Sequence, residues 1–233
     1  MMTSSQNYWE LHTNCLIADQ ILPFDVYIKR EGKTVLWRGK STEVTQNDIT
    51  RLSESGVESV VIGIRDKEKY LEYIEPNAQE LIMNDRIPVE YKSYVVRETT
   101  NKILTCLYKS PTDIGTAKRL EHIVPPIVEL ILSSANMAPL RFLLERGDME
   151  FSYAPHSART CYYTIALASS YKRFSREKLH QFALAALLHD IGQMIVKPEI
   201  REKIGKFTED ELHEMQKHPV YSVSLINRSE IYN

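Results

Sequence analysis

This sequence has few cysteines and almost no excess of one sign of charge over the other. Among its 233 residues only Cys15, Cys106 and Cys161 are cysteines, an odd number with no regular spacing. This composition excludes a disulfide scaffold and is typical of ordinary thiols in a reducing compartment. Acidic and basic residues nearly cancel, leaving a formal net charge of −2. That balance excludes a broad electrostatic attraction to nucleic acid, so we expect no nucleic-acid polymer among the partners.

Long hydrophobic runs and a secretory signal are also lacking. The N-terminal residues have no basic stretch followed by an apolar one. The least polar long segment, residues 123–140, contains Glu129 and three prolines, which excludes a membrane span. We therefore expect a cytoplasmic protein without a membrane partner. A hydrophobic fraction of 43% is enough for a folded core in one or two domains.

Residues 1–75 predict a small α+β domain with the element order β-β-α-β. Apolar and polar side chains alternate along residues 24–29, and a polar turn leads into a second extended segment. Thr45 and Asp48 form a capping-box pattern at the start of a short helix, and a buried third strand follows. Because this domain has no paired acids, glycine-rich phosphate loop or metal-ligand spacing, we interpret it as a regulatory or adaptor domain. The alternative is a structural cap.

The remaining sequence is interpreted as a linker over residues 76–113 and a helical domain over residues 114–233. Residues 114–134 predict one long helix, or two helices interrupted at Pro125 and Pro126. The apolar stripe of this segment can pack within its own domain or against a partner protein. Helical periodicity does not distinguish these alternatives.

The most informative stretch is LHQFALAALLHDIG, residues 179–192. Its apolar side chains share one face of a helix that Ser175 can cap and Gly192 can end. At ~100° per residue, Asp190 falls on the same apolar face. A buried carboxylate is costly unless it is paired or bound to a cation, and the adjacent His189 suits a divalent transition metal. The alternative is that Asp190 forms a cap or an ion pair and that His189 is a core histidine.

Three successive predicted helices carry candidate metal ligands. His156 precedes His189 by 33 residues, and Asp190 precedes His218 by 28 residues. Each interval corresponds to about one helix and one turn, so the side chains can converge inside a helical bundle. The other histidines have no such placement and are treated as background: His12, His122, His180 and His213.

Residues 114–218 resemble the first half of an HD-GYP domain, the bacterial branch of the HD phosphohydrolase superfamily. The matching segments lie at residues 140–160, 185–193 (AALLHDIGQ) and 197–219, which ends in MQKHP. They follow the family pattern of a helix-opening histidine, an LLHDIGK motif, a proline-containing loop and an M-K-x-H-P motif. The resemblance implies an α+β protein whose small N-terminal domain precedes an all-α bundle of the HD type.

The resemblance also implies a metal-dependent phosphodiesterase with two divalent ions, iron or manganese, and with cyclic di-GMP or a related cyclic dinucleotide as substrate. It carries over His156, His189, Asp190 and His218 as metal ligands, with Asp190 bridging the two ions. This chemistry suits the residues, because two metals neutralise phosphate oxygens and generate hydroxide near neutral pH. Imidazoles and a carboxylate leave coordination positions open for water and phosphate.

Four features depart from the family pattern. The resemblance implies that Asp190 and Gln193 occupy catalytic positions. Gln193 replaces the lysine of HDIGK and offers a neutral amide instead of a cation. Ser222 replaces the glycine of H-P-x-x-G, and Ser152 stands where a glutamate would indicate a third metal. The sequence ends at Asn233, before the HHE and GYP segments of the family. We therefore expect about half of the ligands of a two-metal site.

The functional prediction is an HD-GYP-type phosphodiesterase whose activity in this short chain is very weak or absent. If other residues substitute for the missing ligands, His122 and Glu150 are the first candidates. The alternative is a catalytically inactive HD-type signalling adaptor that binds a protein partner, and a third hypothesis is a general HD-superfamily nucleotide phosphohydrolase. We also expect exposed apolar surface on the last two helices, which favours a homodimer.

Overall fold

A computed structural model describes residues 7–133, 137–145 and 152–228 and divides the chain into two compact units, Met1–Val95 and Val96–Asn233. The first unit carries the β-strands, whereas the second is helical. Within the described ranges, no helix combines the length and the hydrophobicity that crossing a membrane requires.

The first unit is organised around an antiparallel sheet. Its described strands are β1 (Tyr8–His12), β2 (Gln20–Ile21), β3 (Val26–Arg30), β4 (Lys33–Arg38), β5 (Glu43–Val44) and β6 (Ser59–Gly63). The sheet has the order β1-β6-β3-β4, and β2 pairs separately with β5. Helices α1 (Gln46–Glu54), α2 (Lys67–Ile74) and α3 (Ala78–Met83) lie between or after the strands.

The strand register places one face of the sheet in the core. Ile62 of β6 is opposite Trp9 of β1 and opposite Val26 of β3, and all three side chains are buried. Since successive strand residues point to opposite faces, paired residues share a face. The register therefore builds a continuous apolar layer across three strands.

The predicted β-β-α-β order is confirmed by β3, β4, α1 and β6. Glu31 and Gly32 join β3 to β4 with φ angles of 50° and 76°, which suits a two-residue turn in a twisted hairpin. Thr45 and Asp48 form the predicted capping box of α1. β1, β2 and β5 were not predicted, because β1 alternates over only five residues and the others have two residues each, too few for a recognisable period.

The predicted linker over residues 76–113 is instead mostly helical. It contains α3 and the long helix α4 (Val89–Lys109), which runs across the boundary between the two units. Leu104 and Leu107 of α4 are buried. The sequence pattern is helical from Arg97 onwards, so only the first part of α4 was missed. Its valines and tyrosines have modest helix propensity, which burial overrides.

The second unit is a bundle of helices. After α4 they are α5 (Ile114–Leu132), α6 (Ala138–Leu143), α7 (Tyr153–Ser170), α8 (Arg176–Leu188), α9 (Pro198–Arg201), α10 (Glu209–Met215) and α11 (His218–Arg228). α5, α7 and α8 pack against one another. Pro125 and Pro126 lie inside a single α5, so the one-helix alternative holds. Thr208 and Glu211 match the T-x-x-E pattern of a capping box, and they form that box at the start of α10.

Two helix ends near the predicted site differ from expectation. α8 ends at Leu188 rather than at Gly192, and a 3₁₀ turn over Ile191–Met194 follows it. The His218-Pro219 pair predicts the end of the preceding helix, but His218 is the first residue of α11. α11 contacts the 3₁₀ turn, and no local pattern reveals this long-range contact.

Candidate metal centre

Each of the four predicted ligands stands at the end of a helix. His156 lies in the first turn of α7, and His189 is the residue that caps the C-terminus of α8. Asp190 follows directly and precedes the 3₁₀ turn, while His218 begins α11. Asp190 is thus not on the helix itself, contrary to prediction, but its side chain is buried, with 11% exposed.

The structure brings these four residues together around the carboxylate of Asp190. Oδ2 lies 3.4 Å from Nε2 of His156 and 3.3 Å from Nε2 of His189. Oδ1 lies 3.2 Å from Nε2 of His218. One carboxylate oxygen therefore faces two imidazoles, and the other faces the third.

The backbone fixes which nitrogen of two imidazoles carries hydrogen. Nδ1 of His189 is 2.8 Å from the carbonyl oxygen of Ala186, and Nδ1 of His218 is 2.7 Å from that of Met215. Because a carbonyl only accepts, each Nδ1 must donate. In the neutral rings, Nε2 then presents a lone pair toward Asp190, an orientation that metal-binding histidines share.

This donor set fits a divalent metal ion. Ligand atoms of His156, His189 and Asp190 all lie within 4.8 Å of one another. Imidazole lone pairs and a carboxylate oxygen repel one another unless a proton or a cation lies between them. His218 stands on the far side of the carboxylate, so Asp190 is placed to contact two different cation positions.

The electrostatics of the cluster favour an ionised carboxylate. Burial by itself raises the pKa of Asp190, but hydrogen bonds from His189 and Gln193, with the charges of His189 and His218, bring this pKa below its ordinary value. The same hydrogen bond to Asp190 raises the pKa of His189, against the opposing effect of burial. Gln193 is thus one of the groups that stabilise the ionised form of Asp190.

Ser222 has a structural role that the sequence did not reveal. Its hydroxyl donates to the carbonyl oxygen of His189 and accepts from the backbone N–H of Gly192, both at 2.8 Å. Residue 192 must be a glycine, because a Cβ there would lie 2.1 Å from the carbonyl oxygen of His218. The serine that departs from the family pattern thus ties α11 to the end of α8.

Tyr108, Tyr153 and Arg201 were also missed. The hydroxyl of Tyr108 is 2.7 Å from Oγ of Ser157, and its ring centroid lies 5.5 Å from that of Tyr153. Burial raises the pKa of Tyr108 to about 12, so this phenol is neutral at physiological pH. Burial raises the pKa of Tyr153, and the nearby Arg201 opposes this shift. The available signal was the position of Tyr153, three residues before His156 on the same helix face.

The residues named as substitutes or background stand outside the cluster where the structure describes them. His122 is exposed on α5, and His213 is exposed on α10. His180 lines a separate, mainly apolar cavity of about 420 Å³ with residues of α5 and α8. Ser152 is the residue before α7, and Glu150 lies outside the described residues.

Comparisons with known proteins agree with this architecture. A family model described as HD domain matches residues 153–233. The curated cyclic di-GMP phosphodiesterase response regulator RpfG of Xanthomonas campestris pv. campestris (strain 8004) is 36% identical over 56 residues, which is 24% of this chain and 15% of that protein. The matched part is therefore a small fraction of the relative.

A solved structure extends the likeness to nearly the whole chain. Bd1817, an HDG"Y"P protein from Bdellovibrio bacteriovorus, is similar with a TM-score of 0.59 at 17% identity, over 97% of this chain and 74% of that one. Such a likeness concerns the fold. The predicted α+β class, a small N-terminal sheet domain followed by an HD-type helical bundle, is confirmed.

Proposed function

We propose, on the premise that this chain is an HD-GYP-type HD domain protein, that its second unit is a metal-dependent phosphodiesterase. The substrate is cyclic di-GMP or a related cyclic dinucleotide of bacterial second-messenger signalling, and the setting is the cytoplasm. RpfG carries the name of a cyclic di-GMP phosphodiesterase, which supports this substrate class. Hydrolysis by residues 1–233 alone is very weak or absent.

The observation that carries the proposal is the arrangement around Asp190. Its two carboxylate oxygens face different histidines, His156 and His189 on one side and His218 on the other. A carboxylate in this position serves two cations, which is the arrangement that two-metal phosphoester chemistry uses. A core ion pair would need only one such histidine.

In this proposal His156, His189, Asp190 and His218 would hold divalent metal ions, with Asp190 as the shared ligand. Divalent iron or manganese there supplies charge neutralisation for the phosphate and a nucleophile at neutral pH. The protein's own part is orientation. The carbonyls of Ala186 and Met215 fix two imidazoles, and the amide of Gln193 holds the Asp190 carboxylate.

The proposed impairment follows from the number of ligands. Over residues 7–133, 137–145 and 152–228, the groups of three or more potential ligands comprise only His156, His189 and Asp190. Four protein ligands among these described residues, counting His218, would leave two ions with incomplete coordination. Gln193 removes a further positive charge that would stabilise the phosphate in its transition state.

The deciding experiment compares Asp190→Ala with His122→Ala, a histidine exposed on α5. We expect Asp190→Ala to abolish bound manganese or iron by elemental analysis, because the carboxylate contacts both ion positions. His122→Ala should keep the wild-type metal content, which also tests its role as a substitute ligand. Equal loss in both variants would contradict the proposed centre.

Turnover of cyclic di-GMP with added manganese or ferrous iron tests the impairment itself. We expect far less product from residues 1–233 than from an HD-GYP enzyme of established activity under the same conditions. Comparable rates would contradict the proposed impairment. Metal binding without any turnover would favour the alternative, an inactive signalling adaptor with a protein partner.

A further inference from the structure

We propose that Arg201 supplies the cation that Gln193 does not, and that its guanidinium, beside the hydroxyl of Tyr153, binds the phosphate of the substrate. The inference rests on the proposed function and adds a substrate-binding residue to it. The ligand class is a phosphate group, here that of a nucleotide phosphodiester. Arg201 lies within the matching segment of residues 197–219, but the family pattern given for that segment assigns it no role.

The backbone brings Arg201 back to the metal cluster. Arg201 ends the short helix α9, which follows the 3₁₀ turn that contains Gln193 and Met194. One Nη of Arg201 lies 3.8 Å from the sulfur of Met194, and only 14% of its side chain is exposed. The guanidinium thus packs on the same turn whose first residues follow Asp190.

Tyr153 connects this guanidinium with the ligand cluster. It lies in the first turn of α7, three residues before His156, so the two side chains share a helix face. Burial raises the pKa of its hydroxyl, Arg201 opposes this shift, and the charge of Asp190 adds to it, so both side chains lie near the hydroxyl. The ring of Tyr108 packs against that of Tyr153 at a tilt of 33°. A hydroxyl and a cation therefore lie near one another at the end of α7 that carries His156.

The guanidinium of Arg201 has N–H donors that are not used by strong acceptors of the described residues. Arginine carries five N–H groups, and Nε of Arg201 is buried without a hydrogen-bond partner among the described residues. A thioether is a weak acceptor for Nη. The second Nη donates to Glu202 at 2.8 Å, but the side chain of Glu202 is 64% exposed. Such a solvent-screened pair is weak, so a phosphate can take the place of the carboxylate.

Arginine suits this role chemically. Its planar fork binds two phosphate oxygens at once and remains charged at all physiological pH values. The neutral amide of Gln193, by contrast, is already engaged with Asp190. The family resemblance implies a positive charge at residue 193, and in this chain Arg201 would supply that charge from a nearby segment.

The test measures binding of inorganic phosphate by calorimetry, with and without manganese, to wild-type protein and three variants. We expect Arg201→Gln to weaken phosphate binding about tenfold, since charge-assisted hydrogen bonds of this kind contribute on that scale. Arg201→Lys should restore part of the affinity. Arg173→Gln, at an exposed arginine that stacks on Tyr171 and Phe174, is the matched control and should bind as wild type does.

Two further readouts separate binding from structure. Metal content and the unfolding midpoint should be unchanged in Arg201→Gln, whereas a purely structural arginine would lower the midpoint and leave phosphate affinity intact. If Arg201→Gln fails to fold, Tyr153→Phe removes only the hydroxyl and should weaken phosphate binding several-fold. Wild-type affinity in a folded Arg201→Gln, or no phosphate binding by wild-type protein under either condition, would overturn the inference. Absence of metal with phosphate binding that still depends on Arg201 would instead count against the metal-dependent function alone.

Discussion

The contact between Asp190 and His189 makes the metal affinity of the centre depend on pH. The carboxylate stays ionised in spite of burial, and the pKa of His189 is raised by its hydrogen bond to that carboxylate. Without a cation, a proton is therefore the natural occupant of the space between the two groups. A metal ion must displace that proton, so affinity should increase as pH rises through the raised pKa of His189.

Ser222 offers a test of how a single hydroxyl supports the centre. Ser222→Ala leaves the N–H of Gly192 and the carbonyl of His189 without their partner. We expect the free energy of unfolding to fall by about 1–3 kcal/mol, the usual cost of buried unsatisfied groups. Manganese affinity should fall as well, because α11 carries His218.

Urea unfolding and a manganese titration measure the two effects. Ser224→Ala, two residues further along α11, is the control for loss of a hydroxyl from this helix. If Ser222→Ala were as stable as this control and bound manganese equally well, the hydroxyl would have no part in placing His218.

At the level of elements, the close approach of α11 to the 3₁₀ turn determines the centre. A Cβ on Gly192 would lie 2.1 Å from the carbonyl oxygen of His218 and 2.3 Å from the nitrogen of Ser222. Gly192→Ala must therefore push the first turn of α11 away. We expect a loss of at least ~1–3 kcal/mol in the free energy of unfolding, as for other overpacked sites, and a weaker metal site.

Thermal unfolding with and without manganese checks this expectation. Gly115→Ala is the matched control, because its Cβ would meet only the Asp113 carboxylate at an ordinary 3.7 Å and alanine favours a helix. A Gly192→Ala protein that unfolds at the temperature of the control would show that α11 can shift without cost.

Elements with a long period or a cap could be predicted from the sequence, whereas those defined by distant partners could not. The hairpin of β3 and β4 and the capping boxes of α1 and α10 are local patterns, and the structure contains them. The end of α8 depends on Ser222, 33 residues beyond His189. The first part of α4 is stabilised by burial, which its mixed composition does not predict.

The same distinction applies to the candidate site. The spacing of His156, His189, Asp190 and His218 was sufficient to expect their convergence, because one helix and one turn separate successive ligands. Arg201 and Tyr153 are 48 positions apart in the sequence, and no spacing pattern connects them. Their proximity depends on where α9 lies relative to α7, which only the three-dimensional structure contains.

At the level of the whole molecule, α11 presents an apolar surface to solvent. Val220 and Val223 are 70% and 57% exposed and, three residues apart, share a face. We expect this face to mediate a homodimer. Replacing both valines with lysine should convert a dimer to a monomer in sedimentation or light-scattering measurements, because two buried charges would oppose association.

Val35→Lys serves as the control for that experiment. Val35 is also exposed, at 47%, but lies on β4 in the first unit. A wild-type chain that is monomeric at all accessible concentrations would contradict the expected dimer. Dissociation caused equally by Val35→Lys would place the contact elsewhere.

The placement of the four candidate ligands at the ends of α7, α8 and α11 has a consequence for how long the protein survives. A cation held there binds segments that are remote in the sequence, so it binds the folded chain and not the unfolded one. By mass action, every increase in available metal lowers the unfolded fraction, which is the form that proteases degrade. Cellular abundance of the chain would then follow metal supply, even in a form that hydrolyses nothing.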